Sequence, residues 1–144
     1  MRDVEEIAAI AVDCGLYVHK ELGPGLLESV YEAVVATALE QRGLAVRRQV
    51  PVPINFRGIT LAEGFRADLI VEEQLVIEIK SVERSAPVHS KQLLTYLRLL
   101  EQPVGLLMNF GCETFREGLK RVVNRYIPSA PSRLRVNQES PATN

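Results

Sequence analysis

The hydrophobic period of this chain changes several times, and each change limits what the chain can fold into. Between residues 4 and 22 the apolar side chains Val4, Ile7, Ala8, Ala11, Cys14, Val18 and Leu22 recur at helical spacing. Gly23-Pro24-Gly25 breaks that pattern. A second helix is predicted from about residue 26 to 41, with Leu27, Val30, Tyr31, Val34, Ala38 and Leu39 as its apolar face and Gly43 as its stop. From Val46 onward the pattern is extended. Residues 46–53 read as a strand, and Pro51 and Pro53 put its end at a sheet edge because proline cannot donate to a ladder. Asn55-Phe56-Arg57-Gly58 reads as a turn, and residues 59–62 and 65–71 as extended segments interrupted by a bulge at Glu63-Gly64. Glu72-Glu73-Gln74 reads as a second turn and residues 75–82 as a strand. Helical spacing returns over 87–101, with Val88, Leu93, Tyr96, Leu97 and Leu100 expected inside. Residues 103–110 form a nearly continuous apolar run, as in an interior strand covered on both faces. Leu119–Val123 is read as a last extended segment.

The resulting order, α-α-β-β-β-α-β with a last strand added, implies an α/β fold with a mixed β-sheet flanked by helices. The 144 residues suffice for one domain and not two. That domain is expected over residues 1–127. Residues 128–144, rich in Ser, Pro, Asn and Arg, are expected to be a disordered tail. Trp is absent and aromatics make up 6%, so the core must be aliphatic. The net charge is −1, from 17 basic and 18 acidic residues, so any attraction to nucleic acid must come from a local basic patch. No apolar run approaches the roughly 18 residues of a membrane span. The stretch Met1-Arg2-Asp3-Val4-Glu5-Glu6 is too charged for a secretory leader. Cys14 and Cys112 lie far apart and outside any CxxC arrangement, which suits reduced thiols in a cytoplasmic protein.

The chemistry lies in Gly64-Phe65-Arg66-Ala67-Asp68 and in Val76-Ile77-Glu78-Ile79-Lys80. Alternate side chains of a strand share a face. Glu78 and Lys80 therefore project together, while Leu75, Ile77 and Ile79 pack on the other side. A short turn folds the Asp68 strand back beside the Glu78 strand and sets two carboxylates and one ammonium close together. Like charges at that distance repel, and burial raises the cost. A divalent cation resolves the repulsion. Mg²⁺ prefers oxygen ligands and keeps several waters, and the carboxylates of Asp68 and Glu78 with the Ile79 carbonyl offer three positions. Lys80 is then placed to orient a water or to offset charge on a phosphorus in transit. Taken alone, an ExK triplet on a strand is more often an ordinary surface ion pair.

The flanking motifs change that weighing. Gly25-Leu26-Leu27-Glu28-Ser29-Val30-Tyr31 reads as GxxExxY, preceded by His19-Lys20-Glu21-Leu22-Gly23-Pro24. With Arg66-Ala67-Asp68, Glu78-Ile79-Lys80, Gln92-Leu93-Leu94-Thr95-Tyr96 and Gly105-Leu106-Leu107-Met108-Asn109-Phe110-Gly111, the chain over roughly residues 4–124 resembles the GxxExxY proteins of the PD-(D/E)XK nuclease-like superfamily. The resemblance implies a nuclease-like core in which Asp68 and Glu78-x-Lys80 form the metal and catalytic site and Glu28 completes the acidic cluster. It also likens Gln92 and Tyr96 to the QxxxY element of RecB-type nucleases. Glu28 equally suits the first turn of a helix, where a carboxylate favours the positive end of the dipole. Glu32 reads as a solvated or supporting group. Gln92 is as readily a surface residue beside a packing Tyr96, and His19 is more readily structural than a ligand. Arg66, Arg84, Lys91 and Arg98 are the basic residues best placed to follow a phosphate backbone.

The expected function is therefore Mg²⁺- or Mn²⁺-dependent hydrolysis of phosphodiester bonds in DNA or RNA. Asp68, Glu78, Lys80, Glu28 and Gln92 would act in catalysis, and Arg66, Gln92 and Tyr96 would meet the nucleic acid. The alternative is a nuclease-fold module without turnover that binds nucleic acid or a protein partner, in homo-oligomeric form. A hydrolase of small phosphate esters is a distant third.

Overall fold

A computed structural model of the protein describes residues 2–125. The elements are α1 (Val4–Leu22), α2 (Glu28–Gln41), β1 (Val46–Phe56), β2 (Ile59–Val71), β3 (Leu75–Lys80), α3 (Pro87–Leu100), β4 (Val104–Asn109), a single turn α4 (Phe115–Gly118) and β5 (Leu119–Val123). The tail expected over 128–144, and the boundary expected near 127, lie outside the described residues.

The strands form one sheet in the order β1-β2-β3-β4-β5. All neighbours are antiparallel except β3 and β4, which are parallel. A parallel pair needs a crossover, and α3 supplies it. β4 is buried along its whole length, as its apolar run requires. The prolines Pro51 and Pro53 fall on β1, which is an edge strand.

Two hydrophobic cores lie on the two faces of the sheet. One joins Ile7, Ala11 and Val18 of α1 and Tyr31, Val35 and Leu39 of α2 to Leu69, Leu75, Ile77, Ile79, Leu106 and Met108. The other joins Leu93 and Leu97 of α3 to Val50, Val52, Ala67, Ile70, Val76 and Leu107. α1 begins with a capping box: the Asp3 carboxylate accepts the Glu6 N–H at 2.9 Å, and the Glu6 carboxylate accepts the Asp3 N–H at 3.2 Å.

Three details differ from the sequence reading. The hairpin turn joining β1 to β2 needs only Arg57 and Gly58, with φ of 47° and 83°, so β1 runs on to Phe56. β2 is continuous, and the irregularity expected at Glu63-Gly64 is a register shift. Val52 pairs with Phe65 but Ile54 pairs with Leu61, so β2 carries extra residues there. A β-carbon on Gly64 would lie 2.2 Å from Ile54 Cδ1, so a larger residue there would have to displace the Ile54 side chain. Finally, α2 is rotated about its axis relative to the expected face. It buries Tyr31, Glu32, Val35, Ala36 and Leu39, whereas Leu27, Val30 and Val34 are exposed. Tyr31 draws the helix round by stacking on Phe110 with centroids 4.5 Å apart and donating its hydroxyl to the Gly23 carbonyl. That rotation brings Glu32 to the sheet.

Candidate active site

β2 and β3 begin as a regular pair at Val71 and Leu75 and stay paired as far as Leu69 and Ile77. Beyond that point β2 remains with β1 and β3 remains with β4, so the two strands part. Side chains take over where the ladder stops. The Asp68 N–H donates to Glu78 Oε2 at 2.9 Å, and the Ile79 N–H donates to Asp68 Oδ2 at 2.8 Å. Each carboxylate therefore binds the backbone of the opposite strand, and the two acids stand together in the fork.

The electrostatics of the fork are those of uncompensated negative charge. Glu78 is only 6% exposed. Burial first, and then the charge of Asp68, push its carboxyl up to about 8. Asp68 is half-buried, and its carboxyl is also raised, chiefly by burial; the Ile79 N–H opposes the rise and the charge of Glu32 adds to it. Lys80 lowers both carboxyls through its charge, yet makes no ion pair among the described residues. Tyr96 of α3 is raised too, by burial and then by Glu78 and Asp68, which puts its hydroxyl in the same field. Its ring stacks on Phe65 of β2 with centroids 3.7 Å apart.

The acid that α2 turns toward the fork is Glu32. It is buried at 6% exposure and accepts from Arg48 Nε at 3.1 Å and from Gln49 Nε2 at 2.7 Å. The same Gln49 Nε2 donates to Asp68 Oδ1 at 3.2 Å. Glu28 is exposed at the first position of α2, one helical turn before Glu32, and makes no hydrogen bond or ion pair among the described residues. It lines a cleft of about 750 Å³ together with Ser81, Val82, Glu83 and Gly111. Gln92 is exposed on α3, one turn from Tyr96. Arg66 binds the Glu63 carboxylate at 2.7 Å and the Gln49 carbonyl at 3.4 Å. His19 hydrogen-bonds through Nε2 to the Cys112 carbonyl at 2.9 Å, a structural tie remote from the fork acids in its contacts.

Gln49 is thus a member of the candidate site that the sequence reading did not assign, and Glu32, read there as a solvated or supporting group, is buried against it. The rotation of α2 hides Glu32 from periodicity, since an acid on the buried face is the opposite of what the pattern suggests. Gln49 carries no periodic signal at all.

The donor set suits one kind of ion. Among the described residues no three His, Cys, Asp or Glu side chains converge into a closed metal cage. Two carboxylates do converge, each with one oxygen bound to backbone, and burial makes their joint charge costly. Hard oxygen donors that leave room for waters fit a Mg²⁺-like cation, which is commonly held by one or two carboxylates and completed by water and phosphate.

A mixed sheet with a crossover helix, paired acids in a strand fork and a lysine two residues beyond define a nuclease-like α/β protein. A family model described as the PD-(D/E)XK nuclease superfamily matches residues 5–122, and the chain belongs to that superfamily. Comparison with curated proteins and with solved structures found no match. Among the described residues no helix is long and apolar enough to cross a membrane.

Proposed function

We propose that the protein is a divalent-metal-dependent nuclease that hydrolyses phosphodiester bonds in DNA or RNA, with Mg²⁺ or Mn²⁺ as its ion. The observation that carries this reading is the pair of cross-bonded carboxylates, Asp68 and Glu78, in the fork beside Lys80. Superfamily membership supports it. Asp68, Glu78 and the Ile79 carbonyl would hold the ion, and Glu28 at the opening of α2 would extend the acidic lining. When bound, such an ion polarises a phosphoryl oxygen and lowers the pKa of a coordinated water. Lys80 orients the attacking water and offsets charge on the phosphorus; the water oxygen joins phosphorus and gives up a proton to solvent, the bridging P–O bond breaks, and the leaving oxygen takes a proton from solvent. Gln92, Tyr96 and Arg66 meet the nucleic acid. The finer likeness to the GxxExxY proteins, carried by Gly25, Glu28 and Tyr31, belongs to this proposal, as does a cytoplasmic location suited to the free thiols of Cys14 and Cys112.

A module without turnover is favoured by one observation, the lack of a closed cage among the described residues. Cleavage of mixed DNA and RNA substrates with Mn²⁺, comparing wild type with Asp68→Ala and Lys80→Ala, separates the readings. The nuclease reading expects cleavage that falls at least about a hundredfold in each variant. Absence of cleavage, or equal cleavage by wild type and variants, overturns it.

A further inference from the structure

β1 contains a backbone outlier beside the fork. Gln49 has a φ of 51°, in the left-handed region that a residue with a β-carbon enters only at a cost. The outlier coincides with a gap in the ladder. Arg48 pairs with Leu69 and Val50 with Ala67, but the Gln49–Asp68 pair between them is missing. Both strands also change face there. Val46, Leu69 and Val71 pack on the α1–α2 side, whereas Val50, Val52 and Ala67 pack on the α3 side. In a regular strand residues an even number apart share a face, so both strands turn over at this pair, and left-handed Gln49 is where β1 does so.

The turnover delivers the Gln49 amide between two acids, donating to Glu32 Oε1 at 2.7 Å and to Asp68 Oδ1 at 3.2 Å. Arg66 satisfies the Gln49 carbonyl that the ladder has released. Because the Ile79 N–H already holds Asp68 Oδ2, both oxygens of Asp68 have a donor and the plane of its carboxylate is set. A primary amide suits this place because it offers two N–H donors and no charge. A glutamate would add a third negative group, and an aliphatic side chain would leave two acids facing each other.

We propose that Gln49 is a positioning residue: its strained backbone is retained because its amide holds the Asp68 carboxylate in the fork and links it to Glu32 on α2. The inference rests on the reading of Asp68 as a metal-holding acid. Two measurements on the full chain test it. The first is urea unfolding in EDTA of wild type, Gln49→Leu, Asp68→Ala and the double variant. The effect of Gln49→Leu on the unfolding constant is expected to change at least about threefold when Asp68 is already absent. An unchanged effect overturns the proposal, and Gln49→Gly replaces Gln49→Leu in the cycle if the latter does not fold. The second is Mn²⁺ calorimetry of Gln49→Gly, which relieves the backbone while deleting the amide. Its affinity is expected to fall roughly 10- to 100-fold against wild type, the usual effect of losing a partner that orients a ligand. Equal affinity overturns the proposal. If wild type itself takes up no Mn²⁺, it is the metal reading that falls, and the unfolding cycle alone decides the role of Gln49.

Discussion

Glu78 is the residue through which the site acts on the stability of the whole chain. Its carboxyl rises from the ordinary 4.5 to about 8 in the fold. Below pH 4.5 the folded and unfolded chains both hold the proton; between 4.5 and about 8 only the folded chain does. Stability therefore falls as pH rises through that window, by up to about 1.4 kcal/mol per pH unit, and the full cost is present above it. Asp68 is raised and adds in the same sense. Metal-free protein is expected to melt at a lower temperature at about pH 8.5 than at about pH 6. Glu78→Gln removes the ionisation and should flatten the dependence. Melting curves in EDTA across that range check both statements; a wild type as stable at the upper pH as at the lower would contradict them. That Asp68 and Glu78 lie side by side was readable from the sequence, because strand alternation and a short turn act locally. The part played by Glu32 was not, because its burial depends on how α2 is turned by Tyr31 and Phe110, residues far apart in the chain.

At the scale of elements, the segment that follows β3 is tied down from β4. Asn109 ends β4, fully buried, and its Oδ1 accepts the N–H groups of Val82 and Gly111 at 3.0 Å each. Its Nδ2 donates to Ser85 Oγ at 3.1 Å and to Cys112 Sγ at 3.4 Å. Asn109→Ala strands two partly buried N–H groups and should cost about 1–3 kcal/mol in urea unfolding. Gly111 lies so close that an added β-carbon would come within 2.2 Å of the Val82 carbonyl oxygen. Gly111→Ala must move backbone rather than a flexible side chain, and a loss of about 1–3 kcal/mol is expected by the same measurement. A neutral result would mean that the segment after Lys80 is not held as described. Element types and most bounds were legible: β5 occupies the residues read as extended, and α3 spans the predicted helix within a residue or so. The buried face of α2 and the exposure of Val88 at 61% were not, because a helix with apolar residues on several sides does not say which side will meet the sheet.

At the scale of the molecule, the near-neutral charge bears on how the proposed nucleic-acid substrate would be held. Arg42, Arg47, Arg48, Arg66 and Arg121 each close on a carboxylate of the same chain, at 2.6–3.1 Å. These pairs take five arginines out of the charge open to phosphates, and the net charge is −1, so binding should depend weakly on salt. A log–log slope of magnitude about 2–4 is expected, corresponding to a few phosphate contacts. A steep slope in fluorescence-anisotropy titrations would reveal a basic surface that the ion pairs conceal. A bound divalent cation should also raise the melting temperature. The gain is worth about 2.7 kcal/mol at a hundredfold excess over Kd, and Asp68→Ala should abolish it.

By itself the sequence determined the α/β class, the order of helices and strands, and the pairing of Asp68 with the Glu78-x-Lys80 face. Each of these follows from hydrophobic periods and turn residues that act over a few positions. Only the tertiary structure decided where β2 and β3 part, which acid α2 turns inward, and that β1 and β2 turn over at Gln49 and Asp68. Those features arise where two cores on opposite faces of one sheet compete for the same strands, and no local pattern records how that competition is resolved.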